Sequence, residues 1–104
     1  VIVLVAGTYE CSIYCPAYAV GYHQARLQNT TAGTTVLWGM SSSTYTTTGS
    51  DQTVSIIKGR FTIGAAQNLE IQHRCEATRA SNGLGVACTL GQEIYTTAEF
   101  RRVA

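Results

Sequence analysis

An all-β chain, folded as an antiparallel β-sandwich, is predicted by three observations. From Leu69 to Cys75 the residues Leu69, Ile71, His73 and Cys75 alternate with Glu70, Gln72 and Arg74, the period of a strand with one buried face. The same alternation recurs from Tyr9 to Ala17 and from Gly21 to Gln28. The composition, rich in Thr, Val, Ile and Tyr with ten Gly and one Pro, suits strands and leaves little helix.

Each element follows from its local pattern. Val1–Val5 is too short for a signal-peptide core, lacks a basic flank and reads as the end of a strand. Tyr9 to Ala17 sets Tyr9, Cys11, Ile13, Cys15 and Ala17 on one face and Glu10, Ser12, Tyr14 and Pro16 on the other. Pro16 closes that strand or marks its unpaired edge, because it has no N–H to give a ladder. Gly21 to Gln28 turns His23, Ala25 and Leu27 one way and Tyr22, Gln24, Arg26 and Gln28 the other. After a turn at Thr31-Ala32-Gly33, Thr35 to Ser41 forms a short strand carrying Trp38. The Ser/Thr/Gly-rich stretch from Ser42 to Ser50 reads as a long exposed loop. Gln52 to Ile63 is a long central strand, Gly64–Asn68 turns it, Leu69 to Thr78 follows, and Glu93 to Val103 is the last. Six strands without a crossover helix predict two packed antiparallel sheets. Ile13, Leu27, Leu69, Ile71, Ile94 and Phe100 lie on the apolar parity and are the expected core. With no repeat or linker, residues 1–104 are read as a single domain.

Charged residues make up 12% of the chain and balance to +1, so no basic field is available to hold a nucleic acid. No apolar run reaches the length of a membrane-spanning helix. Neither a nucleic acid nor a membrane is expected as a partner.

Several separated motifs recur in one order: Ala6-Gly7-Thr8-Tyr9, the run from Pro16 to Leu27, Gly59-Arg60-Phe61-Thr62, the run from Leu69 to Cys75, and Asn82 to Ala87. Across nearly its whole length the chain thereby resembles a module of bacteriophage virion proteins. These are fibre and capsid-decoration proteins whose fold is similar to the jelly roll of the tumour necrosis factor and complement globular-head superfamily. The resemblance implies a jelly roll that lacks the family's first strands. It follows that the edges of the Leu69–Thr78 and Glu93–Val103 strands are bare, or are completed by upstream sequence or by a neighbouring virion subunit. The resemblance also implies a homotrimer whose inner sheet packs around a threefold axis.

Tyr14 and Tyr95 fall on parities opposite the core residues of their strands, where a monomer has little use for them. In such a trimer they become the interface candidates. His23 and His73 share the apolar parity of their strands, with Cys75 two residues from His73, but no third ligand at metal spacing accompanies them. They read as core histidines satisfied by hydrogen bonds. No cofactor is expected. The acidic residues Glu10, Asp51, Glu70, Glu76, Glu93 and Glu99 are scattered, no cysteine sits in a positive cluster or at a helix N-terminus, and no catalytic site is read. Cys75 and Cys88 flank Asn82-Gly83. A two-residue turn there leaves them diagonal, whereas a four-residue loop over Ala80–Gly83 makes them direct partners within reach of a disulfide. Cys11 and Cys15, about 13 Å apart on an extended strand, read as small core hydrophobes.

The leading expectation is a non-enzymatic structural protein at the virion surface, either a trimeric capsid cement or a fibre head, contacting other capsid or tail proteins. The alternative is a receptor- or glycan-binding module, a fibre tip or secreted lectin-like head, that presents the Ser42–Ser50 loop with Tyr45 to a host-surface glycan or protein.

Overall fold

The computed structural model of the chain describes residues 1–46 and 51–104. Its strands run β1 (Ile2–Leu4), β2 (Gly7–Tyr18), β3 (Tyr22–Asn29), β4 (Thr34–Trp38), β5 (Ser42–Ser43), β6 (Gln52–Ile63), β7 (Gln67–Cys75) and β8 (Thr97–Arg102), with no helix among the described residues. Two antiparallel sheets pack together as a β-sandwich. The larger has the order β1-β7-β3-β4, with β5 pairing β3 beyond the end of β4, and the smaller has the order β6-β2-β8.

The alternation read from the sequence is what faces the two sheets inward. Tyr9, Cys11, Ile13 and Cys15 of β2 and Ile57, Phe61 and Ile63 of β6 meet Ala25 and Leu27 of β3 and Leu69 of β7. Tyr9 stacks on Phe61 with 5.6 Å between ring centroids, and Phe100 meets Phe61 edge-on at 6.5 Å. Tyr9 keeps its hydroxyl satisfied by donating to the Val5 carbonyl at 2.8 Å. Of the expected core, Ile13, Leu27 and Leu69 are fully buried, while Ile71 and Phe100 are half-buried against the same cluster.

Ile94 is not in the core; it is 69% exposed, and the last strand begins at Thr97 rather than Glu93. Pro16 supplies the reason. The even-numbered residues of β2 turn their backbone groups toward β8, as when Val103 N–H donates to Thr8 O and Tyr18 N–H donates to Gly83 O. Pro16 has the same parity and no N–H to give, so the β2–β8 ladder ends at Tyr14 opposite Thr97. β2 itself continues through Pro16 to Tyr18 on its other side, paired with β6 as far as Gln52. Residues 76–96 contain no strand, and β7 ends at Cys75 rather than Thr78. β1 falls within Val1–Val5, read as the end of a strand, and β5 adds a short strand that was not expected. β1 pairs β7 over Leu69–Gln67, and β5 lies within the segment read as loop, whose residues 47–50 fall outside the described ones.

The larger sheet loses a neighbour partway along β3. β4 ends at Trp38 opposite Arg26, and Gly39 passes so close to the sheet that a Cβ there would lie 2.7 Å from Ala25 O. Gly39 N–H still donates to Ala25 O, but Met40 N–H donates to Ile56 O of the opposite sheet, so the chain crosses between the layers at this point. The departing strand leaves Ala25 N–H without a ladder carbonyl. The fully buried Ser55 of β6 fills the gap, accepting from Ala25 N–H at 3.0 Å and donating to Met40 O at 2.7 Å.

Among the described residues β4 and β6 are edge strands, so Gln52–Ile63 is not the central strand expected, and the two edges that the sequence marks as bare are largely open. β8 pairs only with β2, and β7 is covered on its β1 side only over Gln67–Leu69.

Urea unfolding should show Leu69→Ala costing about 2–5 kcal/mol and the half-buried Ile71→Ala less. Ser55→Ala, which strands a buried N–H and a carbonyl while removing only one oxygen, should cost about 1–3 kcal/mol by the same measurement.

Candidate functional site

The interior turns polar at the end of the sandwich beyond Ala25. His23 on β3 and His73 on β7 stand diagonally on the inner face, with His23 directly opposite Cys75. Their rings meet at 2.9 Å, Nδ1 of His23 to Nε2 of His73, and His23 Nε2 lies 2.7 Å from Thr53 Oγ1 on β6. The far end of the chain fixes its direction. Thr53 donates its only hydroxyl hydrogen to Ser43 O, a carbonyl that can only accept. Thr53 Oγ1 therefore accepts from His23 Nε2–H, which leaves His23 Nδ1 bare to accept from His73 Nε2–H. Both rings are neutral in this arrangement. Burial lowers the pKa of His23, and burial together with the neighbouring His23 lowers that of His73 to about 4.

The chain thus ties four strands together, β7, β3, β6 and β5. Both histidines spend the facing nitrogens on each other, and among the described residues no three His, Cys, Asp or Glu side chains converge. Burial raises the thiol pKa of Cys11 and Cys75 and pushes that of Cys15 up to about 11, so these sulfurs are protonated and poorly nucleophilic. All four cysteines are free thiols. Neither hairpin register considered for Cys75 and Cys88 forms, because no strand follows Asn82-Gly83; Cys88 is exposed, its N–H held by the Glu93 carboxylate at 2.9 Å.

The outer face of the smaller sheet is divided. At one end Glu10 receives Arg101 at 2.7 Å and Arg60 at 3.4 Å, which holds its carboxyl below the usual range, with Arg101 the larger influence. Towards the other end the cross-strand rows are apolar: Tyr14 lies opposite Ile56 and Pro16 opposite Val54. Tyr14 is 43% exposed here, on the face its parity predicted. Tyr95 precedes β8 and is 41% exposed, but it does have a use in the monomer. Its ring lies against the Cα of Gly85, where any Cβ would collide with it. Tyr45 is exposed just beyond β5, with Asp51 Oδ1 3.4 Å from its N–H; the rest of its loop lies outside the described residues.

A groove of about 790 Å³ runs along β3 and β7, lined by outward-facing side chains and also by His23, His73 and Cys75 of the inner parity. Register brings Trp38, Arg26 and Gln72 into one row across β4, β3 and β7, and Gln24 with Arg74 into the next. Arg26 is locked there: its guanidinium carbon sits 5.5 Å from the centre of the Trp38 ring, Nε donates to Gln72 Oε1 at 2.8 Å, and Nη1 donates to Thr35 Oγ1 at 3.2 Å. Gln24 is fixed by donating to Gly39 O at 2.9 Å. Tyr22, 72% exposed, closes one end and Trp38, 61% exposed, the other. Sequence reasoning passed over these side chains because their parity marks them as solvent-facing. The available signal was that this solvent face is made of aromatic and planar groups rather than Lys, Ser and Thr.

Folding stability should decline as the pH falls from about 6.5 toward about 4. Unfolded histidines bind protons in that window while folded His73 does so only near pH 4 and folded His23, its pKa lowered by burial, does so less readily than when unfolded, so the native state is favoured above the window. Thermal melts across pH 7 to 4 check this, and His73→Gln should flatten part of the slope. Set against known proteins, the chain matches no family model, no curated protein and no solved structure.

Proposed function

We propose that the chain is a non-enzymatic structural domain at the surface of a phage particle. In this reading it is a jelly roll that assembles as a homotrimer through the smaller sheet and anchors to neighbouring capsid or tail proteins. The observation that carries the reading is the divided outer face of the smaller sheet. A solvated sheet face is ordinarily polar throughout. Here Tyr14, Ile56 and Val54 form an apolar end, and the paired charges of Glu10, Arg60 and Arg101 sit at the other. An apolar centre bordered by ion pairs is the composition of a subunit contact.

The open edge of β8 adds to this, since it borders the same face and offers unpaired backbone groups to a neighbouring chain. The buried thiols and self-satisfied histidines are consistent with a mechanical role. Three copies would each have to bury an area on the order of 1,000 Å² or more per contact to hold together stably.

Light scattering or native mass measurement of the purified chain should give three times the monomer mass, and Tyr14→Asp should return it to monomer without loss of the fold. Tyr95→Asp should weaken the trimer less cleanly, because the ring also packs on Gly85. A stable monomer at all concentrations removes the trimer from the proposal.

A further inference from the structure

We propose that the groove along β3 and β7 is a binding site for an acidic saccharide, an oligosaccharide bearing a carboxylate, seated between Tyr22 and Trp38. This goes beyond the assembly reading and uses the other sheet of the sandwich. A sugar presents C–H faces that pack on aromatic rings and a rim of hydroxyls that pairs with amides and guanidinium groups. The groove offers both kinds of surface in alternation. Tyr22 and Trp38 stand exposed at its ends, and Gln24, Arg26 and Gln72 lie between them with planar groups already fixed by hydrogen bonds. Fixed side chains lose little entropy when a ligand arrives.

The spacing selects an oligosaccharide over a single ring. Trp38 lies across from Arg26, and Tyr22 is four residues from Arg26 along β3, about 13 Å at the rise of a strand. The charge selects an acidic ligand. Arg26 has committed Nε and Nη1 but not Nη2, and the Arg74 side chain makes no hydrogen bond or ion pair among the described residues. The carboxylate lining the groove, Glu76, is already engaged by Tyr22 N–H at 3.2 Å, and Glu70, one row beyond Gln72, takes the Gln72 amide at 3.2 Å. The uncommitted cationic donors of the groove are therefore guanidinium N–H groups, whose fork matches the two oxygens of a carboxylate. A nucleic acid is a poorer fit, because a chain of net charge +1 has no field to neutralise a run of phosphates.

The test is binding of the full chain to an array of oligosaccharides that carry uronate or sialate, printed beside their neutral counterparts, followed by titration with oligogalacturonate and sialyllactose against lactose. Retention of carboxylate-bearing sugars over neutral ones is expected. Trp38→Ala and Arg74→Ala should each weaken that binding at least tenfold, Arg74→Ala with the melting temperature unchanged, since its side chain is exposed and makes no bond in the fold. Equal retention of neutral and acidic sugars, or retention of none, overturns the proposal. So does a Trp38→Ala variant that changes the oligomer mass, since the groove is then a contact between copies. Sugar binding and mass are separate readouts, so failure here leaves the assembly reading standing or falling by its own experiment.

Discussion

The architecture depends on how the sandwich handles the place where β3 loses its partner. A strand that has been paired by β4 as far as Arg26 and is paired again by β5 at His23 has backbone groups in between that the ladder does not reach. Left buried and unmet, an N–H there costs more than most hydrophobic contacts gain. Ser55 resolves this from the opposite sheet with one hydroxyl that accepts from Ala25 and donates to Met40. The same hydroxyl fixes the separation of the sheets at that point. Next to it the directed chain from His73 through His23 and Thr53 to Ser43 connects β7, β3, β6 and β5. The apolar core around Ile13, Leu27, Ile57 and Leu69 supplies the cohesion, and this polar seam fixes the register in which that cohesion is used.

The two outward faces have diverged for a physical reason that lies in their neighbours. Behind the smaller sheet the inner residues are large and apolar, and its outer face carries Tyr14 and Ile56 towards one end and the Glu10 ion pairs at the other, with Pro16 and Tyr18 of the same parity buried beyond Tyr14. Exposed pairs of that kind stabilise a fold little. Their value is in deciding which surfaces may approach. On the larger sheet the outer side chains brace one another. Arg26 is held from Trp38, Gln72 and Thr35 at once, and Thr35 in turn donates to Gln28. That bracing makes the groove a rigid surface although it lies on a face open to water.

The strands with period-two alternation were legible in the sequence because burial on one face imposes that period directly: β2, β3 and β7 are found near their expected bounds, while β6 was legible by its length but not as the edge strand it is. The end of the last strand was not legible. Ile94 has the right parity for a strand that began at Glu93, but the ladder it would join is broken by Pro16, about eighty residues away in the chain. Proline was recognised as an edge residue; which edge depended on a pairing that only the fold specifies. The histidines were legible as satisfied interior residues, though their partner being each other was not. The groove was illegible for a related reason. Trp38 and Gln72 meet on either side of Arg26 only through the register of three strands, one of them shifted by a bulge between Leu27 and Gln28. Parity gives a residue's face, and register gives its company.

β2 is the central strand of the smaller sheet, yet neither of its neighbours is near it in sequence. Its first partner begins at Gln52 and its second at Thr97, with Tyr9 opposite Arg102. Closing such pairings requires long chain loops to be ordered before any ladder bond rewards them, which places this protein among slow folders of its size. During synthesis β2 leaves the ribosome with both edges vacant, and it stays half-vacant until Thr97 arrives. The only proline of the chain stands in that strand. A residue that cannot offer an N–H is, during that interval, also one that a foreign strand cannot pair with along the waiting edge.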